Sequence, residues 1–104
     1  MMGPKVSNLV KFYTIILLLE KPFSGYGLMK EIGSKLVQKV SPGQMYPFLA
    51  ELEKSGHIKP SKKGSRDKTL YTLTPAGKKF AGQMLERFGD LIETALRPQL
   101  TSCT

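Results

Sequence analysis

The sequence predicts a mainly α domain with one small antiparallel β-hairpin, and three observations carry that prediction. Ser24, Ser41 and Thr74 each stand where a side chain can cap the start of a helix. Two short β-favouring stretches flank the polar run Lys62-Lys63-Gly64-Ser65-Arg66-Asp67-Lys68. The length, 104 residues, makes one domain spanning 1–104. A chain of this size buries on the order of two-thirds of its unfolded surface and needs no disulfide.

The first helix is expected from Asn8 to Glu20. It is apolar on nearly every side, through Leu9, Val10, Phe12, Ile15, Ile16, Leu18 and Leu19. Such a helix must be covered on more than one face, which a small monomer can hardly do alone. Lys21-Pro22-Phe23 ends it. The stretch Phe12–Leu19 is about eight residues long, far short of the ~20 that cross a bilayer. No small-x-small cleavage site follows it, so the expectation is a cytoplasmic protein with no membrane role.

Ser24 caps a second helix, from about Gly25 to Gln38, with Tyr26, Met29, Ile32 and Leu36 at inward spacing. Lys30, Lys35 and Lys39 fall on or near its outer side. The third helix has the clearest start: Ser41 at the N-cap, Pro42 at the first helical position, and Gln44 completing an S-x-x-Q capping box. It runs to about Ser55, and Gly56 stops it. Met45, Phe48, Leu49 and Leu52 form its inward stripe, leaving Gln44, Tyr46, Pro47, Glu51 and Lys54 outward. Pro47 lacks an N–H and is expected to distort the first turns.

Strands are expected from His57 to about Ser61 and from Thr69 to Thr74, with Tyr71 and Leu73 on one face. Thr74 then caps the last helix, which begins at Pro75 and ends at Pro98, about 75–97. Phe80, Ala81, Met84, Leu85, Phe88, Leu91, Ile92 and Ala95 make an apolar side too wide for a narrow coiled-coil seam. Residues 99–104 are expected to fray.

Charge points to the partner. Sixteen Lys+Arg against eight Asp+Glu give a formal net charge of +8, which favours nucleic acid first and an anionic membrane surface second. One cysteine, Cys103, has no intrachain partner, and one histidine, His57, cannot build a His-rich metal site. Enzyme chemistry has little to stand on. Gly25-Tyr-Gly27 fails the dinucleotide fingerprint, because Lys30 stands at the third glycine and no strand is expected before it. Gly77-Lys78-Lys79 lacks the upstream glycine and the Ser or Thr of a phosphate loop. Ser55-Gly56-His57 are neighbours at a helix stop with no orienting carboxylate. The acidic residues show no metal-ligand spacing, and no cofactor motif is present.

The order is helix, helix, helix, strand, basic loop, strand, helix. A helix-turn-helix followed by a two-stranded hairpin is a winged helix, whose third helix offers a polar edge to a DNA major groove while the hairpin tip brings cations to the backbone. At this point the residues resemble the PadR family of transcriptional regulators, over roughly Val10 to Phe80. The resemblance is strongest from Ser41 to Ile58, where a small polar residue, Gly43, Gln44, an aliphatic residue and Tyr46 lead into the family's Leu-x-x-Leu-Glu-x-x-Gly-x-Ile pattern. Lys68 to Gly77 resembles its second wing strand and entry to the last helix, and Ser24 to Gly27 the start of its second helix. The resemblance implies a homodimer joined by N-terminal and C-terminal helices, bound to an inverted-repeat operator in double-stranded DNA, usually as a repressor. It also implies a small phenolic or drug-like effector. The multidrug-binding members hold flat ligands with tryptophan in the dimer pore, and this chain has no Trp. Its single C-terminal helix resembles the short subgroup.

The candidate DNA contacts divide by chemistry. Lys62, Lys63, Arg66 and Lys68, with Ser65 among them, are flexible tip residues suited to phosphate. Ser41, Gly43, Gln44, Tyr46 and Pro47 lead the third helix. Gln can pair with adenine in the major groove, but the capping box competes for Gln44. Tyr46 is the better groove candidate, an outward aromatic hydroxyl with no obvious structural job, whose alternative is packing against the second helix. Ser24, Tyr26 and Lys30 stand near the second helix's N-terminus, where free N–H groups favour anions. The dimer contacts are expected from Leu9, Phe12 and Ile16 of the first helix and Phe80, Met84, Phe88, Leu91, Ile92 and Ala95 of the last. His57 is expected to be structural, and Met29, Met45 and Met84 to fill the core.

Overall fold

The computed structural model describes residues 8–37, 39–62 and 69–102. The chain runs α1 (Leu9–Glu20), β1 (Phe23–Ser24), α2 (Gly25–Leu36), α3 (Pro42–Lys54), β2 (Ile58–Lys62), β3 (Thr69–Leu73) and α4 (Pro75–Ser102). Helix starts follow the side chains that cap them. Asn8, expected as the first helical residue, is instead the cap of α1, its Oδ1 accepting from the Lys11 N–H at 3.0 Å. Ser24 Oγ accepts from the Gly27 N–H at 2.9 Å and opens α2. At α3 the Ser41 N–H donates to Gln44 Oε1 at 3.2 Å, so the expected box forms. Pro47 sits inside α3 without breaking it. Gly56, at φ 81, supplies the left-handed turn that releases the chain from α3 into β2.

Three expectations are corrected. The hairpin is part of a three-stranded antiparallel sheet in the order β1-β3-β2. β2 and β3 pair from Ile58 opposite Leu73 to Lys62 opposite Thr69, and β1 adds Phe23 opposite Tyr71 and Ser24 opposite Leu70. Two residues are too few to show a period, and β1 exists only because β3 has a second edge to pair with. Next, α2 turns a different face inward. Tyr26 is 65% exposed, while Gly25, Leu28 and Ile32 are buried and Met29 and Leu36 only partly so. The helix stops at Leu36, before Gln38, because Val37 turns left-handed at φ 52. Finally, α4 continues through Pro98 to Ser102. Proline there removes one N–H and crowds the turn before it, which strains a helix by about 3 kcal/mol without obliging it to end.

The core lies where α1, α2 and α3 meet β2 and β3: Ile15, Leu28, Ile32, Met45, Leu49, Leu52 and Ile58 are at most 2% exposed. Thr14 is buried among them and donates its hydroxyl to the Val10 carbonyl at 2.7 Å. One chain covers α1 better than its sequence implied. Helix α2, strand β3 and helix α4 pack on it, and only Leu9 and Leu19 of its apolar residues remain exposed. Helix α4 is another matter. Its first turns dock, with Ala81 buried, Phe80 and Met84 against the core, and the Phe88 ring 4.4 Å from Phe12. Beyond Phe88 it leaves the body, and the radius of gyration is 15.6 Å where about 13 Å is usual for this length.

A junction ties these parts together. Thr74 Oγ1 accepts from the Gly77 N–H at 3.0 Å, capping α4, and donates to the Gly56 carbonyl at 2.6 Å. The Thr74 N–H donates to the His57 carbonyl at 3.0 Å. The His57 ring lies edge-on to Phe80 at 5.0 Å with Nδ1 2.7 Å from Ser55 Oγ, which gives it the expected structural role. Gly77 is buried so closely here that a Cβ would collide with the His57 carbonyl oxygen.

Candidate nucleic-acid interface

A surface that reads DNA needs polar groups on a helix that can enter a groove, and cations beside it for the backbone. Helix α3 has the first. Ser41, Pro42, Gly43, Gln44 and Pro47 are all exposed, while Met45, Phe48, Leu49 and Leu52 face the core. The inward and outward stripes fall where the sequence put them. Gln44 Oε1 already accepts from the Ser41 N–H, which ties down the side chain and leaves its amide N–H groups and one oxygen lone pair for another partner.

Helix α2 supplies the second. An open groove of about 810 Å³ runs between α2 and the start of α3, lined by Tyr26, Met29, Lys30, Val37, Lys39 and Pro42. It brings Tyr26 and Lys30 to the same rim as Pro42, the first residue of α3. Lys30, Lys35 and Lys39 are exposed. Lys39, read from sequence only as an outer lysine, lines this groove beside Val40 and Pro42.

Tyr46 does two things. It is 43% exposed, and its ring also lies on the first residue of α2: a Cβ at Gly25 would stand 2.6 Å from its Cε1, Cζ and hydroxyl oxygen. Packing against α2 was the alternative reading of this residue, and it holds together with exposure. Gly25 escaped sequence reasoning; the Ser24-Gly-Tyr-Gly27 motif marked it, but no local rule says which glycine makes room for a ring. Burial pushes the Tyr71 phenol above its ordinary value near 10, and the neighbouring Glu53 carboxylate and Tyr46 push it further.

Of the wing residues, Lys62 ends β2 opposite Thr69. Lys63, Ser65, Arg66 and Lys68 lie outside the described residues. Of the expected dimer residues, Phe12, Ile16, Phe80 and Met84 are partly buried within the chain. Leu9 at 59%, Leu91 at 65% and Ile92 at 46% are open to solvent, with Phe88 and Ala95 also exposed. Among the described residues no group of His, Cys, Asp or Glu has the geometry to hold a metal, and no helix is long and apolar enough to cross a membrane.

Comparison with known proteins agrees with this geometry. The model of the transcriptional regulator PadR-like family matches residues 15–83, two-thirds of the chain. A transcriptional regulator from Clostridium thermocellum is similar in structure, with a TM-score of 0.71 at 28% identity, over 86% of this chain and 87% of that one. A putative transcriptional regulator from Thermoplasma acidophilum gives 0.63 at 27% identity, over 84% and 89%. A PadR-like transcriptional regulator from Bacillus cereus gives 0.73 at 21% identity, over 86% and 88%, and shares the fold. No curated protein matches the chain.

Proposed function

This chain belongs to the PadR-like family of transcriptional regulators, and from that premise we propose that it is a sequence-specific, DNA-binding repressor. It acts as a homodimer on an inverted-repeat operator in the cytoplasm. The observation that carries the reading is the groove shared by α2 and α3, where Pro42, at the exposed start of α3, lines one rim with Tyr26, Lys30 and Lys39. In such an arrangement α3 enters the major groove while α2 crosses the backbone. The net charge of +8 supplies the sequence-independent attraction, and Gln44 is the candidate for base readout. Lys62, Lys63, Arg66 and Lys68 take the flanking phosphates.

The open apolar surface of α4 supports the homodimer. A row of Leu85, Phe88, Leu91, Ile92 and Leu96 in water is more than a small monomer usually leaves uncovered. A two-fold axis through it relates two α3 helices, whose half-site centres then fall about 34 Å apart or a multiple of that. The test is selection from a random duplex pool followed by footprinting. A dyad-symmetric protected site is expected. Enrichment without a dyad sinks the operator reading, and no enrichment leaves a weakly specific, chromatin-like DNA binder or a winged-helix protein-interaction module.

A further inference from the structure

Tyr46 belongs to α3, yet its ring lies across the start of α2. A methyl group built on Gly25 would meet Cε1, Cζ and the hydroxyl oxygen of that ring, all at 2.6 Å, against the 3.4–4 Å of ordinary van der Waals contact. The ring thus fills the volume that any side chain at residue 25 would need. The glycine is not there for its backbone. Among the described residues the only positive-φ glycine is Gly56, so Gly25 has a conformation that alanine adopts readily, and alanine is the better helix former. Its use at this buried position is the room it leaves.

We infer that Gly25 is a positioning residue for DNA contact. By admitting the Tyr46 ring it holds the phenol hydroxyl at the first turn of α2, so that Tyr46 touches the sugar-phosphate backbone and not a base edge. The inference rests on the DNA-binding reading and deepens it. A side chain lying on the helix that crosses the backbone is placed to donate to a phosphate, and a phosphate contact carries no sequence information. Base readout is then left to residues at the leading edge of α3, Gln44 among them. A neutral hydroxyl differs from the wing lysines in one measurable way: it displaces no counterion, so losing it lowers affinity without changing the salt slope.

The steric conflict also has a direction. The atoms that a Gly25 Cβ would strike are the tip of a half-exposed side chain, which can swing into solvent, not backbone. Gly25→Ala therefore displaces the ring and leaves the fold in place.

The experiment uses the whole chain with two duplexes of equal length, one selected from a random pool and one of random sequence. Tyr46→Phe keeps the ring in its seat and removes only the hydroxyl. It is expected to lose about tenfold per subunit on both duplexes, or 1.4 kcal/mol, with the salt slope unchanged. Gly25→Ala is expected to lose a similar factor in the wild-type background and nothing further when Tyr46 is already alanine. Proton NMR follows the seat separately: the Gly25 Hα signals carry a ring-current shift in wild type and Tyr46→Phe that disappears in Tyr46→Ala. A loss confined to the selected duplex overturns the backbone assignment. Additive losses, or full affinity in Gly25→Ala, overturn the positioning role. Wild type that binds neither duplex overturns the DNA reading and the inference with it. Should Gly25→Ala fail to fold, Tyr46→Phe on the two duplexes still decides between backbone and base.

Discussion

Replacing Leu91 with glutamate is expected to separate the proposed dimer without unfolding either subunit. Leu91 is 65% exposed, so a single chain has little stake in it. Burying a whole leucine side chain stabilises by roughly 2 kcal/mol, and covering the exposed two-thirds contributes about 1.3. A two-fold interface presents the residue twice, which makes about 2.6 kcal/mol, or just under a hundredfold in the dimer dissociation constant. Leu91→Ala should lose most of that factor. Leu91→Glu adds the cost of burying two unpaired carboxylates, several kcal/mol more, and should leave monomer at micromolar concentration. Sedimentation across a dilution series reads the mass, and far-UV circular dichroism checks that helicity survives. Wild type sedimenting at the monomer mass of 11.6 kDa would refute the dimer. A Leu91→Glu protein that sediments like wild type would refute the α4 interface.

Three other outcomes are expected. A Lys62/Lys63 double alanine should reduce the slope of log K against log salt by about 0.9 per lost phosphate contact, equally on specific and random duplexes; an unchanged slope removes those lysines from the interface. Gly77→Ala should destabilise by roughly 1–3 kcal/mol, because the new methyl meets the His57 carbonyl, a backbone group already bonded to the Thr74 N–H. Thermal melts should fall by about 4–8 °C per kcal/mol, and an unaltered midpoint would mean the junction yields. Tyr71 has its phenol pKa raised by folding, so the native state keeps a proton that the unfolded chain gives up. Its contribution is complete below pH 10 and is lost as pH rises through the higher folded value; Tyr71→Phe should flatten that limb of a denaturant-midpoint profile, and an identical limb would show the shift to be absent.

What the sequence disclosed and what it withheld divide along local and long-range physics. Ser24, Ser41 and Thr74 were legible as caps because a cap is settled within four residues. The stripe Met45, Phe48, Leu49, Leu52 was legible because α3 has one clean apolar face. Helix α2 was harder: glycines and lysines dilute its pattern, and Tyr26 looked apolar enough to be inside while Leu28 took that place. Strand β1 had no signal of its own, since β3 makes it. The candidate site was readable as a set of exposed residues on α3 and as basic residues on α2. Its internal arrangement was not, because the contact of Tyr46 with Gly25 joins residues 21 positions apart in two elements. Pro98 misled for the opposite reason: a strong local rule met a helix already long enough to carry one missing bond.

The knot at Thr74, Gly56 and His57 gives α4 the properties of a lever with a short, stiff fulcrum. Two hydrogen bonds, at 2.6 and 3.0 Å, clamp the root of a 28-residue helix to the end of the proposed reading helix. The turns up to Phe88 are held by the core, so the free arm is residues 89–102, about 21 Å long at 1.5 Å per residue. A bend of about 10° where it leaves the body carries the far end roughly 3.6 Å, close to the rise of one base pair when a turn of ~34 Å holds about ten. In a dimer joined through this outer part of α4, the reading heads would be calipers whose gauge is set by the angle at which the helix leaves the body. A change of about ten degrees there would put one head a base pair out of step with the other.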